Sequence, residues 1–418
     1  MQQHLLFLCL FIPTFAFSQP NEAPFDQDAP RLAPTEHALS NSSLFIKFSS
    51  SRSLQSFLAR AHGAKRIHPS LPWVETTQSE WQRFSGSFSQ DILGVSQEQN
   101  YRPPEDEVRP DDTPLELWGL EKIRAPGAWP KTTGNVVVAI VDSGLDLNHA
   151  ALQSKLWTNE RELRGSPGRD DDGNGYVDDI HGYNFLANRG NPSDDAGHGS
   201  HVAGTVGGVS EKDGFSGVAP GAQLMALKTH DGNTNGTEGA VVRGILYAAD
   251  MGARVINCSW GGDPEAGKWS QLLYDAIDYA GKKGAVVVAA AGNKRNDNDM
   301  NPHYPSSYDL ANLIAVAASS PTDKAAVFSN YGKKSVDIGA PGRDIVSIQT
   351  GGGYVVMSGT SMAAPHVSGA LALLAATPQG NSMSPERLIA TLLQNSVKLP
   401  NWEPLVLSGG RLDLGFLQ

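Results

Sequence analysis

From residue 136 onward one pattern repeats. Residues 136–141, 224–227, 255–256, 285–291 and 313–318 are continuous apolar runs rich in Val, Ile and Ala. They do not alternate with polar residues, as fits strands buried on both faces. Between them, residues 239–251, 268–283 and 362–376 carry apolar positions at helical spacing. Strands that alternate with helices predict an α/β domain with a mainly parallel central sheet. In such sheets a site lies beyond the carboxyl ends of the strands, so the residues just after each run are where chemistry is sought.

The first part of the chain reads differently. Residues 5–17 are an apolar run broken only by Pro13 and Thr14, and Ala16-Phe17-Ser18 is a small-x-small pattern. This predicts an export signal over residues 1–18, too short for a spanning helix of roughly 20 residues. Residues 19–111 are polar and contain Ser and Pro, with a short strand at 44–48 and an amphipathic helix at 52–62. Tyr101-Arg102-Pro103-Pro104-Glu105-Asp106-Glu107 reads as an exposed linker. The domain expected to carry the chemistry covers residues 112–418.

Composition narrows the picture. The chain has 418 residues, 40% of them hydrophobic, enough for a large core. Its net charge of -11 argues against nucleic acid and anionic lipid as partners. Of two cysteines, Cys9 leaves with the export signal, and Cys258 then has no partner for a disulfide. Stability must come from the core and from metal. A soluble, exported monomer without a membrane span is expected.

The strand ends carry the chemistry. Asp142 follows the run 136–141 directly, Ser259 follows Cys258, and Asn293 follows Ala291-Gly292. Two further groups open helical segments: His198 in Gly197-His198-Gly199-Ser200-His201, and Ser361 in Gly359-Thr360-Ser361-Met362-Ala363-Ala364-Pro365. A serine hydroxyl needs a base to become a nucleophile, and imidazole titrates in the right range. A buried carboxylate fixes the imidazole tautomer and stabilises the imidazolium. The N–H at a helix start and an Asn amide can hold an oxyanion.

With these motifs the chain resembles the subtilisin-like serine peptidase family. The order Asp, His, Ser matches. So do Trp118-Gly119-Leu120, Gly217-Val218-Ala219-Pro220, Ser259-Trp260-Gly261-Gly262 and Ala340-Pro341-Gly342. The resemblance implies a three-layer α/β/α fold preceded by a small α+β pro-domain over residues 19–111, which is cut away between about Asn100 and Pro114. It implies Asp142, His198 and Ser361 as orienter, base and nucleophile. Asn293 and the Ser361 N–H would form the oxyanion hole. Ser259, Trp260, Gly261, Ala291 and Gly292 would meet an extended polypeptide substrate. Secretion and hydrolysis of peptide bonds are the expected outcome. The competing readings are a non-catalytic binding homologue, an acid-active carboxyl peptidase, and a peptide ligase. The second expects Glu and Asp where His198 and Asn293 stand.

A second signal is Asp170-Asp171-Asp172-Gly173-Asn174-Gly175-Tyr176-Val177-Asp178-Asp179. Oxygen side chains at 170, 172 and 174 match the first half of an EF-hand-type loop. Structural Ca2+ is expected on Asp170, Asp172, Asn174, the Tyr176 carbonyl, and Asp178 or Asp179. His181 stands where that loop ends in Glu. The alternative is a solvated acidic turn. His201 and His366 read as packed histidines, and Cys258 as a small buried hydrophobe.

Overall fold

A computed structural model describes residues 43–102, 107–110, 116–233, 235–262 and 269–418. The export-signal expectation falls outside the described residues. Near the start, β1 (Ser43–Phe48), β2 (Lys65–Arg66), β3 (Trp73–Thr77) and β4 (Ile92–Gln97) form an antiparallel sheet in the order β2-β3-β1-β4. Two helices, α1 (Ser51–Leu58) and α2 (Gln78–Phe88), are capped by the Ser50 and Thr77 side chains. They bury Leu54, Phe57 and Phe88 against Ile46, Phe48 and Val74. The helix expected over 52–62 stops at Leu58. Ala61 is still buried in this core, which is why the apolar spacing runs past the helix end.

Both ends of the stretch expected as a linker are paired instead. A short strand β5 (Asn100–Tyr101) precedes β6 (Glu107–Pro110), and both lie on the large domain. That domain opens with α3 (Trp118–Lys122), then β7 (Val137–Asp142), the short helices α4 (Ala150–Gln153) and α5 (Glu160–Leu163), and β8 (Gly182–Asn184). Next come α6 (His198–Gly207), the hairpin of β9 (Val209–Ser210) and β10 (Phe215–Ser216), and β11 (Gln223–Lys228). These are followed by β12 (Gly236–Thr237), α7 (Glu238–Asp250), β13 (Val255–Cys258), α8 (Gln271–Lys282), β14 (Val286–Ala290) and β15 (Leu313–Ser319). The last large pieces are β16 (Ile338–Pro341), β17 (Ile345–Ile348), β18 (Tyr354–Ser358), α9 (Thr360–Ala375), β19 (Val397–Lys398) and β20 (Gly410–Arg411).

The central sheet runs β19-β20-β16-β15-β14-β13-β7-β11-β8. Its pairings are parallel except for β19 with β20. Its strands alternate between two cores. Val138, Ile140, Val286 and Val288 face α6 and α9. Ala139, Val141, Val287 and Ala289 face α7 and α8. With both faces covered, every position must be apolar, and the alternation disappears from the sequence. The result is a three-layer α/β/α fold. From β7 the sheet grows to β11 and β8 on one side and to β13, β14 and β15 on the other. The end of β7 is therefore the topological switch point, where a crevice opens.

The small sheet packs its second face on α7 and α8. Phe45 and Trp73 enter their core. The Trp73 indole N–H donates to Asp275 at 2.7 Å, Lys47 pairs with Asp275 at 2.7 Å, and Arg243 pairs with Glu75 at 2.9 Å.

Candidate active site

Asp142 is the last residue of β7 and is fully buried. Its backbone carbonyl accepts the N–H groups of Thr229 at 2.8 Å and His230 at 3.1 Å, so the end of β11 clamps it. Its Oδ1 lies 2.7 Å from His198 Nδ1 and also accepts the Ser143 N–H at 2.7 Å. A carboxylate only accepts, so Nδ1 carries the proton and Nε2 is the nitrogen turned away. Burial pushes the Asp142 carboxyl up. The nearby His198, through its charge and hydrogen bond, outweighs this together with His230 and the Ser143 N–H, and the net value is lowered. His198 opens α6. The close approach of this helix to the β7 turn requires Gly199. A Cβ there would stand 2.2 Å from the Gly144 carbonyl oxygen and 3.2 Å from Asp142 Cβ.

Ser361 stands in the first turn of α9, where backbone N–H groups have no partner within the helix. Its Oγ donates to the Ser259 carbonyl at 3.1 Å, and Ser259 Oγ donates to the Ser361 carbonyl at 2.9 Å. The end of β13 and the start of α9 are thereby stitched together. Next in the chain, the Trp260 indole N–H donates to the Val141 carbonyl at 2.7 Å, tying the same segment to β7 beside Asp142. Asn293 turns its Oδ1 to the Thr360 N–H at 2.9 Å and the Thr360 hydroxyl at 2.8 Å. Because the amide is planar, its donor end faces the other way.

The remaining expected substrate residues differ in what they offer. Gly261 is an edge: its N–H donates to the Arg102 carbonyl at 2.9 Å, and its carbonyl accepts the Arg102 N–H at 3.3 Å. The Trp260 side chain is buried, 5.3 Å from the Tyr101 ring and 5.7 Å from the His230 ring between centroids. Ala291 and Gly292 engage their backbone groups within the domain. The Ala291 carbonyl accepts both Asn298 and Asn330 amides, and its N–H donates to Val316. The Gly292 N–H donates to Thr360 Oγ1, and its carbonyl accepts the Asn330 N–H. Their N–H groups are thus committed within the domain.

Burial pushes His201 down to about 3 and His366 to about 4. Both are neutral at working pH and bonded to backbone carbonyls, Ile345 at 3.0 Å and Met362 at 2.8 Å. Burial pushes the Cys258 thiol up, which leaves it without thiolate character.

The acidic loop is rearranged relative to expectation. Carboxylate oxygens of Glu162, Asp172 and Asp179 lie within 4.8 Å of one another. Burial raises the Asp179 carboxyl, with Asp172 and Glu162 adding repulsion against hydrogen bonds from Tyr247 and Asn174. The Asn174 amide donates to Asp172 at 3.1 Å and Asp179 at 2.8 Å. Asp178, expected as a ligand, turns away at a positive φ of 56° and accepts the Gly168 N–H at 2.9 Å. Asp170 folds its carboxylate onto the N–H groups of Gly175, Gly173 and Asn174. The ring of Tyr176 packs on Tyr183, Phe185 and Tyr247. Glu162 was missed because α5 lies outside the loop and its spacing. A sequence hint is its place three residues after Asn159, whose amide donates to Asp172 and Asp179.

A doubly covered parallel sheet carries, at its switch point, an Asp–His pair and a serine at a helix start. Such groups, brought together, suit nucleophilic chemistry. The chain belongs to the subtilase family, whose model matches residues 133–409. Thermitase of Thermoactinomyces vulgaris is 39% identical over 64% of this chain and 84% of its own length. Subtilisin-like protease 2 of Plasmodium falciparum (isolate 3D7) is 36% identical over 68% of this chain, which spans only 20% of that relative. The crystal structure of fervidolysin from Fervidobacterium pennivorans, described as a keratinolytic enzyme related to subtilisin, superposes with a TM-score of 0.73 at 25% identity. The match covers 90% of this chain and 61% of fervidolysin.

Proposed function

We propose that this chain is a secreted serine endopeptidase that hydrolyses polypeptides through an acyl-enzyme. The observation that carries the reading is the 2.7 Å contact between buried Asp142 and His198 Nδ1, beside a helix that opens on Ser361. Ser361 Oγ attacks the scissile carbonyl carbon and passes its proton to His198 Nε2. The Ser361 N–H and the Asn293 amide hold the oxyanion. As the C–N bond breaks, His198 hands that proton to the leaving amine. Water, deprotonated by the same imidazole, then releases the acid and frees Ser361. Gly261 is the edge on which a substrate backbone adds as a strand. The test is a fluorophosphonate label on the full precursor and its Ser361→Ala variant. The wild type should take the label and shorten from its N-terminus, and the variant should do neither. A folded wild type that takes no label sinks the proposal in favour of a non-catalytic homologue.

Residues 19–111 act as a pro-region in this reading. Support comes from the chain's own path. Arg102 pairs with Gly261, and Glu107 pairs with Ser358, three residues before Ser361. The self-processing bond is proposed between about Asn100 and Pro114, and these two pairings near the site support that range. Export rests on the apolar run at 5–17, and among the described residues no helix is long and apolar enough to cross a membrane. The mature protein acts as a monomer.

Removing the Asn293 donor should lower kcat about 100- to 1,000-fold, because the oxyanion loses a preorganised hydrogen bond. Steady-state kinetics of Asn293→Ala on a peptide amide would check this. An unchanged kcat would take Asn293 out of the site.

Glu162, Asp172 and Asp179 fit a hard cation, since they present oxygen alone and their charges repel one another when unneutralised. Ca2+ is the proposed ion, and its role is structural. Calcium at a hundredfold excess over Kd stabilises the folded state by about 2.7 kcal/mol. For a domain of this size EGTA should lower Tm by about 5 °C. Glu162→Gln should shrink that difference, and a melting curve indifferent to EGTA would remove the ion.

A further inference from the structure

The loop before α6 holds a half-buried carboxylate, Asp194, that the chemistry above does not use. Its Oδ1 accepts the Ser143 hydroxyl at 2.8 Å and the N–H groups of Ala196 and Gly197 at 3.0 and 2.9 Å. Its Oδ2 accepts the N–H and the hydroxyl of Ser200 at 2.9 and 2.6 Å. The Ser143 oxygen in turn accepts the Gly199 N–H at 2.9 Å, and Ser200 Oγ accepts the Asp146 N–H at 2.8 Å.

The chain positions give this network its meaning. Ser143 directly follows Asp142, and Gly199 directly follows His198. One hydroxyl thus joins the neighbour of the carboxylate to the neighbour of the imidazole. A hydroxyl proton rotates freely unless an acceptor fixes it, and Asp194 is that acceptor. The second carboxylate oxygen repeats the device through Ser200, on the first turn of α6, to Asp146 on the turn after β7. The backbone of the same loop is also tied to that turn: the Leu145 N–H donates to Pro192 at 3.0 Å, and the Asp194 N–H donates to Leu145 at 3.1 Å. β7 and α6 come from opposite ends of a long excursion, and no covalent feature sets their separation.

We propose that Asp194 is a positioning residue for the Asp142–His198 pair, acting through the Ser143 and Ser200 hydroxyls. The role rests on the serine-hydrolase reading of the site. A residue that only capped α6, whose N-cap Gly197 has no side chain of its own, would change stability and leave the chemistry alone. A positioning residue changes the chemistry of each folded molecule, because small displacements of catalytic groups cost up to about 100-fold in rate.

The experiment compares wild type with Asp194→Ala, Asp194→Asn, Ser143→Ala and the double alanine variant. Each preparation is counted by fluorophosphonate-labelled sites, and kcat, KM and the pH profile are expressed per labelled site. Asp194→Ala should lower kcat about 10- to 100-fold with KM within about twofold. Ser143→Ala should lose up to about 10-fold. The double variant should be no worse than Asp194→Ala, since both act on one link. Asp194→Asn retains one acceptor oxygen and should recover part of the rate. An unchanged kcat per labelled site in Asp194→Ala, or losses that multiply in the double variant, overturns the proposal. Should Asp194→Ala yield no folded protein, Ser143→Ala decides alone, and an unchanged kcat there overturns it. A folded wild type that takes no label overturns the serine-hydrolase reading, and this role with it.

Discussion

Ser361→Ala should cost about 10⁶-fold in kcat and leave the precursor at full length. The loss is this large because the groups act as a unit. Without the nucleophile, His198 has no proton to take and no acyl-enzyme forms. What survives is the oxyanion donors and substrate binding, typically worth 10³- to 10⁴-fold over the uncatalysed reaction. Stability should barely change. The hydroxyl is buried and, among the described residues, donates to the Ser259 carbonyl, and such a bond is worth about 1 kcal/mol net. The pairing of Ser259 Oγ with the Ser361 carbonyl is backbone on the serine side and survives the substitution. The measurement is turnover of an internally quenched peptide beside a melting curve. A drop of about 10⁶ with Tm held within a few degrees assigns the loss to chemistry. A drop of tenfold or less would mean that another group is the nucleophile.

What the sequence could and could not tell follows from the range of each interaction. The sheet was legible because burial on both faces leaves continuous apolar runs, as at 136–141 and 285–291. The places of Asp142, His198 and Ser361, at a strand end and two helix starts, were legible because each sits in a short local frame of glycines and small residues. Gly199 beside the Gly144 carbonyl is the clearest case. Features set by distant contacts were not legible. Glu162 joins Asp172 and Asp179 only because α5 folds back over the loop. The spacing that pointed to Asp178 assumed a continuous EF-hand turn, whereas the chain reverses there through a left-handed residue. Prolines and charges around 101–107 suggested a linker, yet Tyr101 is buried against Trp260, and the backbone on both sides adds to edges of the large domain. Strand addition uses main-chain groups that every residue carries, so composition does not announce it. Asp194 was invisible for a similar reason: its meaning lies in which neighbours its partners have.

Asp142→Asn is expected to lower kcat about 10⁴-fold with little change in fold. Asn is isosteric, so its oxygen can still accept the Ser143 N–H that now bonds Oδ1 at 2.7 Å. The second position is less comfortable. Asp142 Oδ2 is buried with no hydrogen-bond partner among the described groups, and an NH2 placed there would be an unsatisfied donor. If the amide turns to relieve this, it presents a donor to His198 Nδ1 and forces the wrong tautomer, with the proton on Nε2 where the base must be empty. If it does not turn, the tautomer survives, but the negative charge that stabilises the imidazolium is gone. The first route removes the base and the second weakens it. The pH dependence separates this from a general loss of structure. The Asp142 carboxyl is held below its ordinary 3.8, so it is ionised at every pH above that value, and its stabilising contribution is lost only as pH falls through its lowered folded value. Between pH 5 and 9 Asp142 therefore stays ionised and does not itself shape the wild-type profile. Removing a neighbouring negative charge disfavours the protonated ring, so the acidic limb of kcat/KM in Asp142→Asn should move to lower pH. Rates per labelled site across that range check both claims. A variant with the wild-type rate, or with an acidic limb displaced upward, would show that Asp142 does not orient the base.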